Sequence, residues 1–321
     1  MGEDALSQKN WLAPITGQLT QLLTQQRLPH GLLFNGHPGS GTWELGYWLA
    51  RQLICTENGL WGPACGQCKA CSLLRAGNHP DLVHIEAEKA HIGVDGIRQA
   101  NQFLVKKAQL GQAKVVIIQQ AELMTEAAAN ALLKTLEEPT PFSFLILTSY
   151  DSDRLLPTIQ SRCTRFDIRP PVGQALTQSL GNSPLIDDYS NMCHLPQLQS
   201  EEQAQLFGTF ETLFNDWLLQ PQYMDELLAF LNEHSLALGW LMQQFSAAIR
   251  QANQWQGIRQ HQGLAILSRQ SPDNLTQAMV LITNASKQLK QLTQANKKFV
   301  IESLLIDLLK LIGNNAEMRT R

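Results

Sequence analysis

Between Gly31 and Ser149 short apolar runs alternate with helical patterns, and that order constrains the fold more than any other feature of the chain. Gly31–Asn35, Leu82–Ile85, Lys114–Gln119 and Phe142–Ser149 read as strands. Helical patterns lie around them at 11–28, from the Gly-rich turn at 36–41 through Ile54, at Val94–Ala108 and at Thr125–Glu138, where Pro139 stops the helix. Repeated strand–helix units predict an α/β fold, a parallel sheet covered by helices. Its strands are nearly continuous in Val, Ile and Leu, as expected when both faces are buried.

The pattern changes after Arg169-Pro170-Pro171. Residues 169–200 are irregular and punctuated by Gly173, Gly181, Pro184 and Pro196, which predicts a short lid or linker domain. From 201 onward only helical periodicity remains, in segments near 201–219, 222–233, 235–254, 273–293 and 297–312. A compact all-helical C-terminal domain follows from that run. The expected division is therefore 1–168, 169–200 and 201–321. A chain of 321 residues has room for such a plan.

Net charge and terminus narrow the partners. The formal charge is -3, without the strong basic footprint of a protein that grips DNA alone. Lys287, Lys290, Lys297 and Lys298 form a basic stretch that suits either a solvated helix face or a surface for DNA or a partner. Met1–Asn10 is polar, and the longest strongly apolar run, Phe142–Leu147, is too short to span a bilayer. A cytoplasmic protein with no membrane partner is expected.

Three of the six cysteines fall within seven residues, Cys65-Gly66-Gln67-Cys68-Lys69-Ala70-Cys71, with Cys55 ten positions upstream. Four thiolates close a tetrahedral structural zinc site and leave no open position for catalysis. An iron–sulfur cluster is the competing ligand, but its motif wants a fourth Cys soon after, and Arg75 stands there. Redox pairing or unliganded thiols are the remaining alternatives. Cys163 and Cys193 read as small apolar residues.

The first strand runs into Gly36-His37-Pro38-Gly39-Ser40-Gly41-Thr42-Trp43 and a helix. This is the placement of a phosphate-binding loop, G-x-x-x-x-G-K-[ST], whose Lys contacts phosphates and whose hydroxyl holds magnesium. Thr42 stands where the Lys belongs and Trp43 where the hydroxyl belongs. A working site would also end the third strand in an acidic pair to organise magnesium and activate water; here the pair is Gln119-Gln120. The residues predict the shape of a nucleotide-binding core without ATP bound by this chain. The alternatives are a stand-alone divergent ATPase and a zinc-dependent nucleic-acid binding module.

Several blocks carry a more specific resemblance. They are Cys65–Cys71, Gly77-Asn78-His79-Pro80-Asp81, Gly93-Val94-Asp95-Gly96-Ile97-Arg98, the run from Ala127 to Pro139, and Ser161-Arg162-Cys163. Together they resemble the delta-prime family of bacterial DNA polymerase III clamp-loader subunits, catalytically inactive members of the AAA+ class. Active gamma/tau relatives share much of this pattern but keep the Lys and the acidic pair. The resemblance implies an AAA+ ATPase-like sheet domain, a helical lid and a helical C-terminal domain that joins an oligomeric collar. The implied partners are the gamma/tau ATPase subunits and the delta subunit, with the sliding clamp and primed DNA reached through the complex. It further implies that Arg162 reaches the ATP of a neighbouring subunit as a trans-acting finger. A structural ion pair is the alternative for that residue.

Overall fold

In the computed structural model the described residues are 6, 9–59, 61–87, 91–180, 187–191, 194–195, 200–289 and 294–313. They divide into two compact units, one built from the residues up to Pro171 together with Gln178–Leu180, and one from Val172–Thr177 together with the described residues from Asp187 on.

The first unit is a five-stranded sheet, β1 (Gly31–Gly36), β2 (Leu82–Ile85), β3 (Lys114–Ile118), β4 (Ser143–Ser149) and β5 (Thr164–Ile168), in the order β2-β3-β4-β1-β5. Every pairing in it is parallel. The helices are α1 (Ala13–Thr24), α2 (Thr42–Ile54), α3 (Lys69–Arg75), α4 (Val94–Val105), α5 (Glu126–Glu137) and α6 (Pro157–Gln160). The period-two alternation of strands sorts the core. Leu32, Phe34, Val115, Ile117, Phe144, Ile146, Phe166 and Ile168 pack on the face covered by α1, α2 and α3. Leu33, Val116, Ile118, Leu145 and Leu147 pack on the face covered by α4 and α5. β3 and β4 are buried along their whole length, so their unbroken apolar runs are what a two-faced sheet requires.

The strands read from sequence lie within a residue or two of those observed. β5 and the short helices α3 and α6 are additions. β5 lies at a sheet edge, and its exposed Thr164, Arg165 and Asp167 dilute the apolar signal.

Within 169–200 the described residues include the seven-residue helix α7 (Gln174–Leu180). Gly181–Pro184, Cys193 and the terminal 314–321 lie outside the described residues. The second unit contains α8 (Glu201–Leu219), α9 (Met224–Glu233), α10 (Ala237–Ala252), α11 (Gln262–Leu267), α12 (Pro272–Leu289) and α13 (Gln294–Gly313). Phe207, Phe210, Phe214 and Trp217 recur at three- and four-residue steps and form one buried stripe of α8. Phe210 stacks on Phe214 at 5.7 Å, and Phe207 meets Trp240 edge-on at 5.5 Å. Trp217 and Trp240 are core residues, both buried. Of the basic stretch, Lys287 and Lys298 are exposed and Lys297 is half-buried, while Lys290 lies outside the described residues. No helix among the described residues is long and apolar enough to cross a membrane.

Candidate functional site

The four cysteines converge. Cys55 caps the end of α2, Cys65 lies in the following loop, Cys68 is the N-cap of α3 and Cys71 lies in its first turn. Gly66 takes a φ of 74°, which folds the chain between Cys65 and Cys68 back on itself and suits a residue without Cβ. The four Sγ atoms all lie within 4.8 Å of one another. Amide N–H groups point at the sulfurs: Cys65 N–H donates to Cys55 Sγ at 3.3 Å, Cys68 N–H to Cys65 Sγ at 3.3 Å, and Cys71 N–H to Cys68 Sγ at 3.4 Å. Burial raises the Cys68 thiol, but hydrogen bonds from the Cys71 amide, Thr56 and the Cys71 side chain outweigh it and bring its pKa to about 5. Burial and the neighbouring thiols push Cys71 up to about 12. A tetrahedral ion with metal–sulfur bonds of about 2.3 Å would set the sulfurs about 3.8 Å apart, a short inward step from this arrangement. The residues present fit a metal ion.

The fold braces this cluster from outside. The Arg75 guanidinium donates to the Gly66 carbonyl. Gln52, buried on α2, accepts from the Ala64 amide at 2.7 Å. Tyr47 Oη donates to the Leu74 carbonyl at 2.9 Å, joining α2 to α3. None of these braces was singled out from sequence, because each pairs residues with no spacing rule between them.

The phosphate-loop positions follow β1 as expected. Gly39 and Gly41 take φ values of 81° and 103°, conformations that glycine enters without steric cost. Thr42 begins α2 and is buried. Residues from the start of the chain lie against the turn: Trp11 Nε1 donates to the Ser40 carbonyl at 2.8 Å, and Lys9 pairs with Glu44 at 2.8 Å. The Trp43 ring lies tilted against His84 of β2 at 4.3 Å between ring centroids, and His84 Nε2 lies 3.0 Å from Gln119 Oε1. The loop and the end of β3 are thereby joined through an aromatic pair and a side-chain hydrogen bond. Gln120 adopts a φ of 52°, and its N–H donates to Thr148 Oγ1 at 3.2 Å. The half-buried Tyr150 side chain lies beside both glutamines, and burial raises the pKa of its hydroxyl. His84 was not recognised from sequence; its place on β2, in register with Ile117, brings it beside Gln119.

Arg162 lies on the turn between α6 and β5, apart from the loop residues. Nη1 donates to the Thr158 carbonyl at 2.9 Å and approaches Ser161 Oγ at 3.4 Å. Nη2 pairs with Glu137 Oε1 at 2.6 Å, with the arginine side chain 34% exposed. Beneath it the backbone is closely packed. A Cβ on Gly31 would stand 2.9 Å from Leu136 Cδ2 and 3.3 Å from the Arg162 carbonyl oxygen. His30 Nε2 lies 2.9 Å from the Leu136 carbonyl oxygen. The Cys163 thiol is pushed up to about 12 by burial, which makes it a packing group.

Asp81, from the Gly77–Asp81 block, is fully buried. Its carboxylate accepts from the amides of Gln109, Leu110 and Gly111 at 2.6, 2.8 and 3.0 Å. Lys114 Nζ stands 3.7 Å away and 3.7 Å from the Phe103 ring centroid. Burial raises the Asp81 carboxyl, but the three amides and Lys114 outweigh it and hold it below the usual carboxylate range. This group fixes the loop leading into β3.

A parallel sheet in the order β2-β3-β4-β1-β5, with a phosphate-loop-like turn after β1 and helices following, defines an AAA+-like α/β class of protein. Within that class the chain belongs to the family described as "DNA polymerase III, delta subunit", whose sequence model matches residues 12–172. It is 41% identical over 166 residues to DNA polymerase III subunit delta' of Escherichia coli K12, covering 51% of this chain and 49% of that protein. It is 47% identical over 148 residues to subunit delta' of Pseudomonas aeruginosa, covering 46% and 45%. Similarity to subunit tau/gamma of Haemophilus influenzae is lower, 32% over 160 residues, covering 50% of this chain and 23% of that protein. The chain spans about half the length of the delta' relatives it matches.

Proposed function

We propose that this chain is a non-hydrolysing structural and regulatory subunit of the bacterial DNA polymerase III clamp loader. It works beside gamma/tau and delta subunits in the cytoplasm, helps place the sliding clamp on primed DNA, and supplies Arg162 to the ATP of a neighbouring subunit. Its plan is an AAA+-like domain over 1–168 with a zinc insert at 55–71, a short lid at 169–200, and a helical collar domain over 201–321. The observation that carries the reading is a division of labour within one sheet. The residues at the chain's own magnesium and base positions are Trp43, Gln119 and Gln120, with Trp43 against the His84 ring and His84 hydrogen-bonded to Gln119. The half-exposed guanidinium of Arg162 stands on a rigid turn elsewhere. A fixed guanidinium stabilises charge on a transferring phosphoryl group, and a planar fork does so better than an ammonium.

Zinc held by Cys55, Cys65, Cys68 and Cys71 is structural. Its four protein ligands leave no position for substrate, and bound metal would tie α2 to α3. Exposed Val280, Phe299 and Ile306 on α12 and α13 supply apolar surface for the collar.

The test is Arg162→Ala in the complex reconstituted with its ATPase subunits, measured as DNA- and clamp-stimulated ATP hydrolysis. A finger contributes roughly 10³–10⁵ in rate at one site, and a loader has several sites, so the loss for the assembly is partial. Arg162→Lys does not rescue. Unchanged hydrolysis in a folded mutant complex returns Arg162 to a purely structural role.

A further inference from the structure

Glu137 has no part in the reading above beyond accepting an ion pair, yet its position gives it a function. We infer that Glu137 is a positioning residue for Arg162: it holds the guanidinium in a preset orientation from which the finger engages a neighbour's phosphate. The inference rests on the trans-acting role of Arg162.

Three observations converge on it. First, the carboxylate comes from the last residue of α5, and the guanidinium from the turn after α6. The two segments are locked together below the pair by the Leu136–Gly31–Arg162 packing and by His30 on the Leu136 carbonyl. The anchor is therefore rigid on both sides. Second, the guanidinium is held at two points on its outer nitrogens, Nη1 on the Thr158 carbonyl and Nη2 on Glu137, while Nε has no partner among the described residues. A side chain fixed at two points but with donors left over is oriented and still able to bind. Third, the carboxylate is 49% exposed and the guanidinium 34%. A pair this open is weak, so a polyphosphate competes with it successfully; Glu137 orients the finger and does not lock it away.

The experiment uses the same reconstituted complex. Glu137→Gln keeps size and removes charge, and Glu137→Lys reverses it; the side chain is exposed enough that the chain stays folded with either, checked by thermal melt. If Glu137 acts by orienting Arg162, Glu137→Gln lowers kcat about two- to fivefold, the range expected from an exposed ion pair. The KM for ATP stays unchanged, because the finger acts in the transition state. Glu137→Lys lowers kcat further. The Glu137→Gln effect disappears when Arg162 is already Ala, a result that a general structural role would not give. It also shrinks at high salt, where the wild-type pair is screened. A kcat that rises in Glu137→Gln overturns the inference and makes the carboxylate a brake. An effect that persists in the Arg162→Ala background also overturns it. If Arg162→Ala alone changes nothing, the trans-finger reading fails first. If Arg162→Ala cripples hydrolysis and Glu137→Gln does not, only the positioning role fails.

Discussion

Replacing Asp81 with Asn tests how the first unit is held together. The side chain keeps its shape but loses its charge, and one of its two acceptor oxygens becomes a donor facing amides. In the native chain three N–H groups converge on the carboxylate within 3.0 Å, with Lys114 Nζ at 3.7 Å. Both side chains are buried, at 0% and 3% exposure. Removing one partner of a buried pair leaves the other charge uncompensated and costs about 3–5 kcal/mol. The Lys114 ammonium would then have the Phe103 ring as its main compensation, and burial already lowers its pKa. The assay is urea unfolding of the first unit, followed by circular dichroism at neutral pH and in acid. The sign in acid follows from the lowered Asp81 pKa. A carboxyl with a folded pKa below its unfolded value of about 3.9 contributes stability that is complete above that value. The contribution is lost as pH falls through the folded value. Wild type and Asp81→Asn are therefore far apart at pH 7 and converge below about pH 4. Combining Asp81→Asn with Lys114→Met recovers part of the loss, because the orphaned charge is gone. A difference under about 1 kcal/mol at pH 7, or one that stays constant into acid, would refute the assignment of Asp81 as the charged anchor of this loop.

Other outcomes follow from the remaining sites. Protein purified without added metal carries about one equivalent of zinc by elemental analysis; iron with visible absorbance, or no metal in intact protein, contradicts the zinc assignment. Cys65→Ser, or prolonged chelation, accelerates amide exchange over 55–75 while leaving the sheet protected. Titration of the isolated chain with a fluorescent ATP analogue and magnesium gives no saturable signal, and micromolar binding would mean that the loop binds phosphate by other groups. Gly31→Ala lowers stability by about 1–3 kcal/mol in a thermal melt, since the new Cβ stands 2.9 Å from Leu136 Cδ2; an unaffected melt would show that Leu136 shifts freely.

What the sequence disclosed depended on whether the signal was local. β3 and β4 are continuous apolar runs, and their bounds were readable to within a residue or two. The cysteines declared themselves by spacing, as did the loop glycines. β5 is a short edge strand with only Phe166 and Ile168 buried, and α3 begins inside the cysteine cluster with a sulfur as its cap, so neither gave a run long enough to read. Arg162 was legible as a motif, but its partner was not. Glu137 lies 25 positions earlier, and only the packing of α5 against β1 brings the two together. The same holds for His84, which is unremarkable in sequence and becomes the link between Trp43 and Gln119 once β2 and β3 are in register.

The proposed loss of nucleotide chemistry would leave the shape of the loop and sheet in place. The residues that shape the loop and those that would act in it are different sets. Gly39 and Gly41 are needed by the backbone, whose positive φ values turn β1 into α2 whether or not a phosphate binds. The sheet beneath depends on Leu33, Phe34, Val116, Ile117, Ile146 and Leu147, which touch no substrate. The lysine, hydroxyl and acidic pair of an active site contribute little to that packing, so their replacement by Thr42, Trp43, Gln119 and Gln120 need not disturb it. Substitution even removes a difficulty, because clustered charges without ligand or metal would face one another across the loop. Trp43 packs against His84, and His84 hydrogen-bonds Gln119 at these positions. Arg162 is separate from all of this. Its anchors are Thr158, Glu137 and the backbone around Gly31, none of which belongs to the loop. On the proposed reading one chemical site is lost and the other kept, which this sheet allows because the two are supported by different parts of the core.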